Sequence, residues 1–177
     1  IIVRNNKEKA ALIRSAQTDA LTGVYNKENT QNMIDEILRK KDPDSFHGFL
    51  ILDMDHFKEV NDVYGHAMGD KVLEMLGNFL KKQFREQDVI GRIGGDEFVI
   101  LLYNIGSRQN MENRVKSLQE KIREIHMDGM EGHTFTLSAG IAFAPQDGDT
   151  FMELYQKADL ALYQVKRSGR NGYRIYK

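Results

Sequence analysis

The chain contains no cysteine. A disulfide scaffold and a zinc–thiolate centre are thereby excluded, and the composition is compatible with a reducing compartment. Proline is scarce, with two residues in 177, so no Pro-rich linker divides the chain. No apolar run approaches the roughly 20 residues that a helical membrane span requires. Neither sign of charge is in excess: 25 Lys and Arg against 26 Asp and Glu leave a formal net charge of -1. Without a global positive field the chain is not expected to hold polymeric nucleic acid, although a nucleotide pocket needs only a few local cations. No signal-peptide pattern opens the sequence. It starts at Ile1 rather than Met, and it reads as a piece of a longer protein. What is present, 41% hydrophobic and 29% charged residues, suits one globular domain with a substantial core.

Periodicity divides the chain into nine segments. Residues 1–17 are charged and helix-favouring, with Ile2, Leu12, Ile13 and Ala16 as sparse apolar points. They read either as a solvated helix or as a linker helix from an upstream sensor domain, with the folded domain over 18–177. Asn26 is a candidate N-cap for a helix reaching about Lys41, with Met33, Ile34, Ile37 and Leu38 on its apolar face. An apolar strand near 46–53 is followed by a polar connection up to Gly69. A helix over 70–84 carries Val72, Leu73, Leu76, Phe79 and Leu80 on one side. Two short apolar segments flank a glycine pair, a helix spans about 109–127, and a strand lies near 134–143. A helix over 150–167 and a short strand from Tyr173 to Tyr176 complete the chain. The order α-β-α-β-β-α-β-α-β contains β-α-β-β-α-β at its centre. That is the ferredoxin-like arrangement of an antiparallel sheet with helices on one face, here with added helices.

The glycine pair marks the most informative stretch: Arg92-Ile93-Gly94-Gly95-Asp96-Glu97-Phe98. Val89-Ile90 precedes it and Val99-Ile100-Leu101-Leu102 follows, so the glycines predict a tight hairpin turn, where positive φ is needed. Asp96 and Glu97 are then placed at the hairpin tip. A second pair, Asp53 and Asp55, ends the strand-like run from Phe49 to Leu52. Carboxylates meeting at the ends of two strands are what a magnesium site for phosphate chemistry requires.

Further blocks stand in order around these two. They are Asp19-Ala20-Leu21-Thr22-Gly23 with Asn26; Asp53-Met54-Asp55-His56-Phe57-Lys58 with Asn61; and Gly65-His66 with Gly69-Asp70. Thr136 to Ile141, and Ala158-Asp159 with Tyr163, Lys166, Gly169, Arg170 and Asn171, follow the hairpin. From Asp19 to Arg174 the chain resembles the GGDEF family, the bacterial diguanylate cyclases. The resemblance implies a fold like the palm of polymerases and nucleotidyl cyclases. It also implies a reaction that condenses two GTP into cyclic di-GMP and two pyrophosphates. Each protomer of a homodimer would hold one GTP, with Mg²⁺ (Mn²⁺ as the alternative) assisting phosphoryl transfer. The implied location is cytoplasmic, or the cytoplasmic end of a membrane-anchored sensor.

Residue by residue, the resemblance makes Asp53, Asp96 and the carbonyl of Met54 metal ligands. Glu97 falls at a position that serves as a metal contact or as the base for the attacking hydroxyl. Asp55 is expected in a solvated or structural role. Asn61 and Asp70 match the guanine-reading pair, since a carboxylate accepts from N1–H and N2–H and adenine lacks those donors. An N-cap on the helix that Asp70 opens is the alternative for that residue. His66 stands for ribose or base contact, with a structural hydrogen bond as its alternative, and Lys58, Lys166 and Arg170 stand for phosphate cations, with Gly169 expected to end the helix before Arg170. Phe57 is expected to shape the pocket, and Gly94 and Gly95 to allow close backbone approach. Arg85 and Asp88, three apart and just ahead of the signature, match the motif that binds product and inhibits, with Lys121 as the nearest further basic residue. The rival reading is an idle member of the family acting as a GTP sensor or cyclic di-GMP receptor. Retention of Asp53, Asp96 and Glu97 argues against it.

Overall fold

The computed structural model describes residues 16–40 and 42–177. The linker helix expected over 1–17 falls almost wholly outside them. Ten elements follow in order: α1 (Lys27–Arg39), β1 (His47–Met54), α2 (Phe57–Tyr64), α3 (His66–Gln83), β2 (Val89–Gly94), β3 (Glu97–Leu102), α4 (Arg108–Arg123), β4 (Leu137–Ala144), α5 (Phe151–Arg167) and β5 (Tyr173–Ile175). The sheet order is β2-β3-β1-β4-β5. All neighbours are antiparallel except β4 and β5, which run parallel.

β1 lies at the centre because it has no polar face to expose: His47 to Met54 are all buried. Alternation sends Leu50, Leu52 and Met54 to one side with Phe98, Ile100 and Ile141. There they pack on Val72, Leu76 and Leu80 of α3 and on Met111, Val115 and Leu118 of α4. Phe49 and Ile51 go to the other side, with Val99 and Leu101, against Ile34 of α1 and Leu154, Ala158 and Leu162 of α5. The two helices of the central β-α-β-β-α-β unit thus share one face, as expected, and the added helices α1 and α5 cover the other. Two apolar layers flank one sheet.

Close approach fixes the second layer. A Cβ on Gly140 of β4 would stand 2.0 Å from the Ala158 carbonyl oxygen and 2.6 Å from the Leu162 nitrogen. α5 therefore rests directly on the sheet, and its far end, with Lys166, reaches the carboxyl-terminal end of β1.

The connection expected to be polar and irregular up to Gly69 is instead α2 followed by the start of α3. Phe57, Val60 and Tyr64 keep helical spacing, but only Val60 is fully buried, so the apolar signal is thin. Gly65 at φ +85° separates the two helices. Elsewhere the differences are small: α4 stops at Arg123, and β4 starts at Leu137 rather than Thr134. Asn26 caps α1 as expected, its Oδ1 accepting from the Asn29 N–H at 2.9 Å. Thr150 caps α5 in the same way.

Candidate active site

The hairpin between β2 and β3 turns at Gly95 and Asp96, with Gly95 at φ +52°. Asp53 of β1 pairs in register with Glu97, the first residue of β3. This pairing, set by the strands, brings the carboxylates of the two sequence-distant blocks together. Burial pushes the Asp96 carboxyl up to about 7, and the adjoining Asp53 carboxylate adds to the rise. Burial also raises Glu97, with Asp53 and Asp159 adding to it, while a hydrogen bond from Tyr155 works against the rise.

One cation answers this cluster: Lys166 of α5 pairs with Oδ2 of Asp53. Burial opposes its charge, but the carboxylates of Asp53, Asp96 and Glu97 outweigh that and hold its pKa above the ordinary lysine value. The other oxygen of Asp53, Oδ1, is buried without a hydrogen-bond partner. A buried, unpartnered carboxylate oxygen beside an acid pushed to about 7 is a site short of positive charge. Its donor set, hard oxygens at strand ends, fits a hard divalent cation such as Mg²⁺ or Mn²⁺. Met54 closes β1 with its side chain in the core, which leaves its main chain as its contribution.

Two features at the site were not visible in the sequence reading. Tyr155 of α5 donates its hydroxyl to Glu97 Oε1 at 2.5 Å. Arg92 of β2 ties the hairpin to the N-terminal turn. Its Nε donates to the Gly95 carbonyl at 2.8 Å, and its Nη1 reaches both oxygens of Asp19 at 3.2 Å. Asp19 in turn accepts from the backbone N–H and hydroxyl of Thr22.

Asp55 is structural and buried rather than solvated. Its oxygens accept from Thr136 Oγ1 (2.7 Å), Ser138 Oγ (2.6 Å) and the Asn171 N–H (2.9 Å). These bonds fasten the end of β1 to β4 and to the loop after α5. α5 ends as expected, with Gly169 at φ +105° and Arg170 exposed on that loop.

Along α2 and α3, Lys58, His66 and Asp70 are exposed and Asn61 half-buried. Asp70 is the fifth residue of α3, which begins at His66. It is therefore not an N-cap, because its helix opens a full turn earlier. At the α2–α3 corner the Asn61 carboxamide crowds Gly69, the residue before Asp70. A Cβ there would be 1.8 Å from Asn61 Oδ1 and 3.4 Å from the Phe57 ring. Gly94 differs: its φ is not left-handed, and a Cβ on it would meet nothing within 4 Å. Neither backbone nor packing within the chain demands glycine there.

Arg85 and Asp88 lie at the opposite end of β2. Both Asp88 oxygens accept backbone N–H groups, from Arg85 at 2.9 Å and from Tyr103 at 2.9 Å, so this carboxylate builds the turn that presents the exposed Arg85. A 610 Å³ cavity lies on one side of Arg85, lined by Val24, Tyr25, Lys81, Phe84 and Asp88. A 400 Å³ cleft on the other is lined by Asn110, Asn113, Arg114 and Ser117. The basic residue of α4 that shares a cleft with Arg85 is thus Arg114. Lys121, expected in that role, donates to the Gln83 side chain instead.

Sheet order, strand-end carboxylates and an open glycine hairpin together define an α/β domain with an acidic site at the ends of β1 and β3. The chain belongs to the GGDEF family: the family model for the diguanylate cyclase GGDEF domain matches residues 16–172. The diguanylate cyclase TpbB of Pseudomonas aeruginosa is 36% identical over 177 residues, covering 97% of this chain and 40% of TpbB. The diguanylate cyclase DgcS of Shewanella oneidensis is 35% identical over 162 residues, 90% of this chain and 53% of DgcS. The chain thus spans about half or less of the length of these relatives. Among solved structures, the GGDEF domain of TpbB superposes with a TM-score of 0.85 at 31% identity, over 90% of this chain and 94% of that one. The coiled coil and GGDEF domain of DgcB from Caulobacter crescentus, in complex with cyclic di-GMP, shares the fold. Its TM-score is 0.86 at 23% identity, over 99% of this chain and 92% of that one. Among the described residues, no helix is long and apolar enough to cross a membrane.

Proposed function

We propose that this domain is a diguanylate cyclase, condensing two GTP into cyclic di-GMP and two pyrophosphates with Mg²⁺, as a homodimer with one GTP per protomer. The observation that carries the reading is the charge deficit at the strand ends, where Asp53 Oδ1 is buried unpartnered and Asp96 is pushed up to about 7. Asp53, Asp96 and the Met54 carbonyl would hold the cation. A cation held by these groups would supply charge neutralisation for the polyphosphate and would lower the pKa of the attacking 3′-hydroxyl.

The remaining roles fall to groups of the chain itself. Asp70 accepts from the guanine N1–H and N2–H, and Asn61 completes base reading with an amide that both donates and accepts. Exposed Lys58 and Arg170, with Lys166, supply positive charge to the phosphates, and His66 and Phe57 border the nucleoside. Gly94 and Gly95 let the polyphosphate approach the hairpin backbone, which accounts for a glycine at 94 that the fold does not require. Glu97, held by Tyr155, accepts the hydroxyl proton or contacts the cation. Arg85 binds the product with Asp88, which uses the lone pairs its backbone bonds leave, and occupancy there inhibits. The cyclase domain occupies residues 18–177, in the cytoplasm, and the stretch 1–17 ahead of it links it to a sensor domain.

The test incubates the purified chain with GTP and Mg²⁺ and resolves products by chromatography. Cyclic di-GMP and pyrophosphate should appear in a 1:2 ratio, as the proposed stoichiometry demands. EDTA should stop their formation. The initial rate should rise faster than linearly with protein concentration, because two loaded protomers must meet. Binding of GTP without turnover at high protein concentration would reject the cyclase reading in favour of a sensor.

A further inference from the structure

Tyr155 lies one turn into α5, and its ring is held on an aromatic column that rises from the sheet. It stacks on Phe151, with ring centroids 5.7 Å apart and planes 23° apart. Phe151 meets Phe49 of β1 edge-on at 5.6 Å. Phe151 is itself buried, and its backbone N–H donates to Asp35 Oδ1 of α1 at 2.7 Å. The hydroxyl at the top of this column donates to Glu97 Oε1 at 2.5 Å. A glutamate side chain has three rotatable bonds, and Glu97 is only half-buried. The position of its carboxylate is therefore set by what it bonds to, and the phenol is a fixed donor on a rigid element.

We infer that Tyr155 is a positioning residue for the reaction: its hydroxyl, bonded to Oε1, holds the Glu97 carboxylate in the orientation from which it acts. The inference rests on the reading of the domain as a cyclase and deepens it. Each carboxylate oxygen keeps a second lone pair, so what the phenol fixes is the orientation of the group, with Oε2 the oxygen that carries no bond to Tyr155. Tyr155 touches neither substrate nor cation in this role.

Tyr155→Phe keeps the ring and its stack and removes only the hydroxyl. Cyclic di-GMP formation should then fall roughly tenfold or more in kcat. KM for GTP, and the affinity for a fluorescent non-hydrolysable GTP analogue, should stay within about twofold, because ground-state binding is untouched. Glu97→Asp keeps the charge on a side chain one methylene shorter that does not reach the phenol. In that background Tyr155→Phe should cost nothing further. Unchanged kcat in Tyr155→Phe, or losses that multiply in the double variant, would overturn the assignment.

Thermal unfolding of the same four proteins without nucleotide or metal reads the bond itself. The double variant should fall short of the summed single losses by roughly 2–4 °C. Additive midpoints would show that no such bond forms in solution. If the unaltered chain made no cyclic di-GMP, that blank would reject the cyclase reading, and the thermal cycle would still decide the Tyr155–Glu97 pair.

Discussion

Replacing Asp55 by Ala should destabilise the domain, because this buried carboxylate fastens three segments together. The carboxylate holds three donors: the hydroxyls of Thr136 and Ser138 and the N–H of Asn171. Hydrogen bonds to a charged group contribute about 1.5–3 kcal/mol each, and a buried donor left without a partner costs about 1–3. Ser138 is fully buried, so its hydroxyl has no access to water. Asn171 is exposed and Thr136 half-buried, and solvent recovers part of the loss at both. With the Ser138 bond lost in full and the other two largely recovered by solvent, the net loss is about 3 kcal/mol, against a total of about 5–15 for a domain of ordinary stability. In urea, with an m-value near 2 kcal/mol/M, the midpoint should drop by about 1.5 M with m unchanged. The thermal midpoint should fall by roughly 6–12 °C. Asp55→Asn retains one acceptor oxygen and should lose less, about 1–2 kcal/mol. A loss under about 1 kcal/mol for Asp55→Ala would mean that the three donors find other partners, and the staple between β1, β4 and the Arg170 loop would be refuted.

Two glycine substitutions should separate fold from ligand binding. Gly140→Ala forces a Cβ onto the Ala158 carbonyl and should cost about 1–3 kcal/mol or more. Gly94→Ala should leave urea stability within about 0.5 kcal/mol while weakening GTP-analogue binding; unchanged affinity would remove Gly94 from the site. Asp96→Asn should raise the metal-free thermal midpoint at pH 8 and change it little at pH 4. The folded carboxyl titrates near 7, above its unfolded value of about 3.9, so ionisation costs stability progressively across that window and in full above it. Calorimetry showing the larger gain at pH 4 would contradict the burial of this group. Asp70→Ala should narrow the preference for GTP over ATP by about 1–3 kcal/mol in competition binding; unaltered preference would exclude Asp70 from base reading. Arg85→Ala should relieve inhibition by cyclic di-GMP with the rate on GTP preserved, and undiminished product binding by calorimetry would show that Arg85 is a bystander.

The parts of the fold with strong periodic signals were legible in the sequence. β1 reads as a wholly apolar run closed by Asp53, the hairpin as a glycine pair between apolar segments, and α3 and α5 as amphipathic stripes. α2 escaped because its apolar positions are few and half-exposed, and that omission moved the expected start of α3 and gave Asp70 a capping alternative it does not have. The layering of α1 and α5 on the second face is written in Phe49 and Ile51, which alternate with Leu50 and Leu52 and need their own cover. At the site, side chains from one strand or loop were readable from the motif blocks. Partners joined only by tertiary packing were not. Tyr155 is 58 residues from Glu97, and the signal that would have found it is its place about three turns ahead of Lys166 on one stripe of α5. Arg114 and Lys121 sit two turns apart on the same face of α4. Only the ending of α3 near Gln83 decides which of them shares a cleft with Arg85.

The Arg92 guanidinium acts as a strut. One end is braced on Asp19 in the N-terminal turn, and the other on the Gly95 carbonyl. The turn is braced a second time where the Tyr25 N–H donates to the Ile90 carbonyl and the Arg92 N–H to the Tyr25 carbonyl. Turn and hairpin tip are therefore tied through both side chain and backbone, and Asp96 is the next residue along. A single side chain thus spans from the Asp19 carboxylate to the residue before Asp96. The turn is itself seated in the core, with Val24 buried in the layer of α3 and α4 and Tyr25 packed against the layer of α1 and α5, so the hairpin tip and both layers share one anchor.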